Sequence, residues 1–286
     1  MSNVLELYGV PTESLDQEDW REIVGRQECP YLGRTCQKTR KSSPETTIGT
    51  CSVLHGRSLK PVIICPHRFL ERRQVFIDCI HLLTLHEPGN ELHICQEVTI
   101  PGGSVDYFLV SARSGKVRDL VGIELQALDT TGTVWPHRQR FLLEQGLLDA
   151  QAAPPISKSY GMNWKMTAKT TLIQLHHKVE TFEHINKHLV LVIQDHFLDY
   201  MRRAFRFSKL VDARLGDSAH FHAYQLAGET GSRLRMELIS RLSTDSNGIA
   251  EGLGLNANPR VELDEIVRSL EARISNKTLL TFDVYE

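Results

Sequence analysis

The period of the apolar positions changes along the chain, and each change marks an element. "DQEDWREIV" reads as a short helix with Asp16 near its cap. From Cys29 to Cys65, Gly, Pro, Ser and Thr interrupt every periodic run, which predicts a small loop-rich unit. "FLERRQVFIDCIHLLTLHE" then puts Phe69, Phe76, Ile80 and Leu83 on one stripe, the pattern of an amphipathic helix that stops before Pro88. Two strands joined through "SARSGK" follow, from about Ser104 to Val110 and from Val117 to Leu128. "QAAPPISKSYGMN" is a loop, and "WKMTAKTTLIQLHHKVETFEHIN" is a helix leading into "HLVLVIQ", an unbroken apolar run suited to a central strand. Helix feeding strand predicts a crossover unit. In the last third, Leu234, Met236 and Leu238 alternate as in a strand, and Leu263, Ile266, Val267, Leu270 and Ile274 share one face of a helix after Pro259. "TLLTFDVY" reads as a closing strand. The sum is an α/β fold, an α+β mixed sheet without internal repeats. It divides into a loop-rich region at 1–68 and a main domain at 69–286.

With 286 residues, 41% of them apolar, the chain can bury one sizeable core and a smaller lobe. No apolar run approaches the roughly 18 residues of a membrane span, and the N-terminus is acidic, unlike a signal peptide. The expectation is a cytoplasmic protein with no membrane partner. The net charge of -2 conceals an uneven distribution. Residues 1–25 carry one base and six acids, residues 26–73 ten bases and three acids, and residues 158–209 nine bases and four acids. Basic stretches of this kind are solvated faces or, in pairs, groove walls for phosphates.

Six cysteines in a reducing compartment point to metal ligands or buried thiols rather than disulfides. Cys29, Cys36, Cys51 and Cys65 are separated by six, fourteen and thirteen residues, and Pro follows the first and the last. Four thiolates can close a tetrahedral site on zinc or iron and so staple a segment too polar to fold on a core of its own. Four unrelated packing thiols is the competing reading, and His55 or His67 is available as a substitute ligand. Cys79 and Cys95, in apolar surroundings, read as packing residues.

The strand "DLVGIELQAL" sets Ile123, Leu125 and Ala127 on one face and Glu124, Gln126 and Leu128 on the other. If the hairpin turns about Gly115, Asp106 falls directly opposite Glu124, with side chains about 5 Å apart. Two carboxylates so placed are tolerable when a cation lies between them, and hard oxygen ligands suit magnesium. Glu97 can reach in from the preceding segment, and Gln126 can orient a water. An Asp on one strand and Glu-x-Lys on the next is the layout of PD-(D/E)xK nucleases; here Gln replaces the Lys. The missing positive charge then comes from the metal itself or from Lys165 or Lys169, at the head of the following helix. His176, His177, His184, His188 and His196 read as surface or phosphate-contacting residues.

Taken together, four N-terminal cysteines, "EVTIPGGSVDYFLV", "GIELQAL" and "NWKMTAKTTLIQLHHK" resemble the NotI family of type II restriction endonucleases over roughly residues 29–200. The resemblance implies a PD-(D/E)xK catalytic domain with Asp106, Glu124 and Gln126 in its strand pair and Glu97 before them. It also implies a structural four-cysteine iron site at Cys29, Cys36, Cys51 and Cys65, and homodimers that cut double-stranded DNA at GC-rich palindromes with Mg2+. Two rivals are an iron-sulfur DNA-end-processing enzyme and a metal-stapled DNA-binding protein without cleavage. Direct readout of G·C pairs calls for Arg or Lys, and Arg202, Arg203, Arg206 and Arg214 are generic candidates.

Overall fold

A computed structural model describes residues 2–13, 19–40, 42–149, 160–228, 233–255 and 263–273. Its N-terminal part is a four-stranded sheet of β1 (Val4–Leu7), β2 (Val10–Pro11), β3 (Thr50–His55) and β4 (Lys60–Ile63), in the order β2-β1-β3-β4. Helix α1 (Trp20–Arg26) is capped by Asp19, whose side chain accepts from the Glu22 amide. The expected cap, Asp16, lies outside the described residues.

The main sheet has seven strands: β5 (Glu91–Ile100), β6 (Gly103–Arg113), β7 (Lys116–Gln126), β8 (His188–Gln194), β9 (Val211–Asp212), β10 (Ala219–Ala227) and β11 (Arg235–Thr244). Their order is β9-β11-β10-β8-β7-β6-β5. Strand β8 is parallel to both neighbours, β7 and β10, and all seven of its residues are buried, as its apolar run requires. The β5-β6-β7 meander and the β10-β11 pair are antiparallel, so the sheet is mixed.

The crossover from β7 to β8 runs through α3 (Trp135–Glu144) and the long α4 (Trp164–His184). On α4, Ala168, Leu172, Leu175, Val179 and Phe182 are buried at helical spacing, and this stripe lies on one face of the sheet with α5 (Asp195–Ala204) and α6 (Ser246–Leu253). The single-helix expectation for 69–87 fails. The segment is a 3-10 stretch at Pro66–Arg73, a four-residue helix α2 (Gln74–Ile77) and a second 3-10 turn at Ile80–Leu82, with Arg72 and Arg73 left-handed between them. Tertiary ties break the helix. Arg68 is turned inward to the Glu6 carboxylate at 3.0 Å, and Glu71 accepts from both Arg68 and the Met236 amide. The predicted stripe is still apolar core: Phe69, Phe76 and Leu83 are buried against the other sheet face beside Val190 and Val192.

Two further expectations change and a third holds. Cys79 is buried, but Cys95 is exposed because β5 is the outermost strand. His188 is buried, its Nδ1 3.0 Å from the Asp217 carbonyl. Helix α7 (Leu263–Glu271) forms after Pro259, yet Ile266, Val267 and Leu270 are exposed; Ile274 and the proposed closing strand lie outside the described residues. Among the described residues, no helix is long and apolar enough to cross a membrane.

Two buried polar devices join the N-terminal sheet to the main one. Gln194, at the end of β8, accepts from the Ile63 amide at 2.9 Å and donates to the Pro61 carbonyl at 2.8 Å, serving the edge of β4 as a missing strand would. Arg68, fully buried, bonds Glu6, Glu71 and the Leu234 carbonyl, and Ser52 donates to the same Glu6 carboxylate. Helix α3 closes this end, with Phe141 edge-on to Trp20 at 4.8 Å. Removing Arg68 leaves Glu6 charged and buried, so Arg68→Met is expected to cost about 3–5 kcal/mol in chemical denaturation, and Glu6→Leu/Arg68→Met distinctly less. Equal losses in the two variants would overturn this account.

Candidate active site

The site begins with a turn. Ser114 and Gly115 both have left-handed backbones, at φ 52° and 71°, the requirement of a two-residue hairpin with right-handed twist. Arg113 pairs with Lys116, and a bulge between Ser111 and Ala112 then shifts the register so that Tyr107 pairs with Ile123. One residue further out, this register sets Asp106 beside Glu124. On the other side of β6, Val105 pairs with Val98 and Tyr107 with Gln96, which sets Glu97 beside Asp106. Three acidic residues therefore lie abreast on β5, β6 and β7.

Two of them share a cavity of about 230 Å³ with Gln126, Thr171, Gln174 and Lys178. The alternation read from sequence holds: Ile123, Leu125 and Ala127 enter the core on the opposite face. Asp106 Oδ2 accepts from the Leu125 amide at 2.9 Å, and Glu124 Oε1 accepts from Lys178 Nζ at 2.7 Å. The Asp106 backbone N–H also acts on the Glu124 carboxylate, so the two acids are tied to each other across the strands. Burial and the charge of Asp106 push the Glu124 carboxyl up to about 7, against the opposing pull of Lys178. Gln126 donates to the Ala127 carbonyl at 2.7 Å, which leaves its own oxygen as an acceptor beside the acids.

Lys165 and Lys169 are exposed and do not line this cavity. The cation at the site is Lys178, three turns further along α4. A signal for it existed in the sequence. Lys178 follows Thr171 and Leu175 and precedes Phe182 at helical spacing, so it is a charged residue on an otherwise buried stripe.

Glu97 has a left-handed backbone, φ 52°, and lines a neighbouring cavity of about 150 Å³. Asp106 borders that cavity too, facing Arg34, Gln37 and His67 from the cysteine-rich segment. Burial and the charges of Arg34 and Lys38 hold the His67 imidazole below its usual range, although Asp106 pulls the other way. Sequence reasoning treated His67 as a spare metal ligand and passed over its place beside the acids.

The four N-terminal cysteines gather beneath this wall, all of them buried. Cys29 and Arg34 pair in a short ladder that brings Cys36 back toward Cys29, and Cys65 donates its amide to the Cys51 carbonyl at 3.2 Å. Burial pushes the Cys29, Cys51 and Cys65 thiols up, and the neighbouring cysteines push in the same direction. Backbone N–H groups oppose this at the sulfurs: Tyr31 and Leu32 at Cys29, Gly9 at Cys51, His67 at Cys65. Among the described residues, however, no three His, Cys, Asp or Glu side chains converge closely enough to hold a metal ion, so the closed four-cysteine unit is not formed here.

The raised Glu124 carboxyl generates a stability test. Folding raises its pKa from 4.5 to about 7, so its contribution is fully present below pH 4.5 and lost as pH rises through about 7. Denaturation in chelator is expected to show wild type losing about 3 kcal/mol more than Glu124→Gln between pH 4.5 and pH 8. Parallel pH profiles would contradict the assignment.

No curated protein matches the chain. Residues 24–225, which contain the cysteine cluster, the three acids, Gln126 and Lys178, match the family of the restriction endonuclease NotI. The match covers most of the chain and every element of the site, and the chain belongs to the NotI restriction endonuclease family.

Proposed function

We propose that the chain is a Mg2+-dependent, site-specific deoxyribonuclease of PD-(D/E)xK type that hydrolyses phosphodiesters of double-stranded DNA. The observation that carries this reading is the Asp106-Glu124 pair, two carboxylates abreast in one polar cavity that Gln126 and Lys178 also line. A hard-oxygen donor set under mutual repulsion fits a magnesium ion, which Asp106 and Glu124 would hold. When bound, the ion supplies positive charge for the scissile phosphate and acidity for a water. Gln126, with its oxygen free, orients that water, and Glu97 borders the adjoining cavity where a flanking phosphate or water is placed. Water adds to phosphorus as one P–O ester bond breaks; the water's proton leaves to solvent and the departing oxygen takes one up.

For the cysteines we propose a structural iron or zinc, although their side chains do not converge as a ligand set in this structure. What supports the proposal is that Cys29, Cys51 and Cys65 are buried and met by backbone N–H donors, an environment that favours thiolates once a cation is present. Cys29, Cys36, Cys51 and Cys65 would hold it, and so fix Arg34, Gln37 and His67 against Asp106. A palindromic, GC-rich target requires two such sites about a two-fold axis, hence a homodimer.

Bacteriophage DNA with Mg2+ tests the reading. Discrete fragments are expected, lost about 10²–10³-fold in rate with Asp106→Asn or Glu124→Gln. Smearing denies site specificity, and intact DNA favours a binding protein of the same fold. For the cysteines, metal analysis of purified protein is expected to return about one iron or zinc per chain, with ferric-thiolate colour if iron, falling sharply in Cys51→Ser. Metal-free protein of unchanged stability would remove the staple from the account.

A further inference from the structure

We infer that Lys178 is the catalytic cation that the strand motif lacks, supplied to the scissile phosphate from helix α4 instead of from β7. The inference rests on the nuclease reading above. Gln126 stands where a lysine would reach into the cavity, and it brings no charge. Lys178 enters that same cavity from the facing helix, with Nζ 2.7 Å from Glu124 Oε1. It is the only buried lysine among the described residues.

Its stem is held from the opposite side as well. The β5-β6 turn, Pro101-Gly102-Gly103, lies directly on α4. Thr181 donates to the Pro101 carbonyl at 2.7 Å. A Cβ on Gly102 would come within 2.6 Å of the His177 carbonyl, and one on Gly103 within 3.2 Å of Lys178 Cε. Both glycines also have positive φ, 96° and 132°. The double glycine of "IPGGSVDYF" is thereby explained: it lets a backbone turn press on the helix at the lysine and limit where its side chain can go.

Before DNA and metal arrive, Lys178 offsets the repulsion between Glu124 and Asp106. Once those carboxylates serve a divalent ion, the ammonium is free to donate to a non-bridging phosphate oxygen and to the attacking water. Its contribution is charge and hydrogen bonding; as the P–O bond to water forms and the ester P–O bond breaks, Lys178 neither gains nor loses a proton, the water's proton going to solvent and the departing oxygen taking one from it. A lysine moved from strand to helix performs the same service because only the position of its ammonium matters to the phosphate.

Single-turnover cleavage at saturating Mg2+, paired with DNA binding in Ca2+ and thermal melting, tests the assignment. Lys178→Met is expected to slow cleavage by about 10²–10³-fold while binding in Ca2+ stays within about threefold of wild type. Gln126→Lys added to Lys178→Met returns a lysine to the strand position and is expected to recover at least about tenfold of the rate. The same double variant restores a cation to the cavity, so it remains informative if the single variant melts early. An active wild type with Lys178→Met within about threefold of its rate overturns the assignment alone. Failure of the folded, DNA-binding double variant to recover does so too. A wild type that leaves DNA intact sinks the nuclease reading itself, and this assignment with it.

Discussion

The site depends on one constraint, the register of the β6-β7 hairpin. A strand slipped by one residue against its partner exchanges its own two faces, and here that would carry Asp106 or Glu124 into the apolar layer of Phe69 and Val190 and separate the pair. The register is fixed at the far end by two left-handed residues, Ser114 and Gly115, then corrected by the bulge at Ser111 and Ala112. It is held at the near end by the Asp106 carboxylate itself, which accepts the Leu125 amide across the strands. The carboxylate that the site is built around thus anchors the ladder that positions it.

Much of this arrangement was legible from residue counting. Nine residues on either side of Gly115 give Asp106 and Glu124, and the structure reaches the same pairing by a different route, a tighter turn followed by a bulge. Local alternation was enough because strand periodicity is short and the apolar face unambiguous. The choice of lysine was not legible in the same way. Selecting among Lys165, Lys169 and Lys178 requires the rotation of α4 against the hairpin, a tertiary quantity that the sequence does not carry. The apolar stripe at 69–83 shows the converse case: the buried residues were found, while the helix was not, because Arg68 and Glu71, besides pairing with each other, take partners from β1 and β11. Strand β10 and helix α3 carried no clean period and emerge only from their packing.

The N-terminal region is bound into the catalytic sheet by polar groups that have no alternative partners. Gln194 completes the edge of β4, and Arg68 gathers Glu6, Glu71 and a β11-side carbonyl at one buried point. Those ties also place the cysteine-rich loops so that Arg34, Gln37 and His67 form one side of a cavity whose other side is Asp106 and Glu97. The family match begins at residue 24, before the first of those cysteines, and so spans the loops together with the sheet they adjoin.

Strand β5 has its own consequence. It is ten residues long, outermost in the sheet, and shows Leu92 and Val98 to solvent, which by itself invites another molecule to extend the ladder. Glu97 interrupts it with a left-handed backbone and puts a charge on that edge. A charge on an outermost strand is a general safeguard against edge-to-edge pairing, and here it stands on the same strand edge as those two apolar side chains.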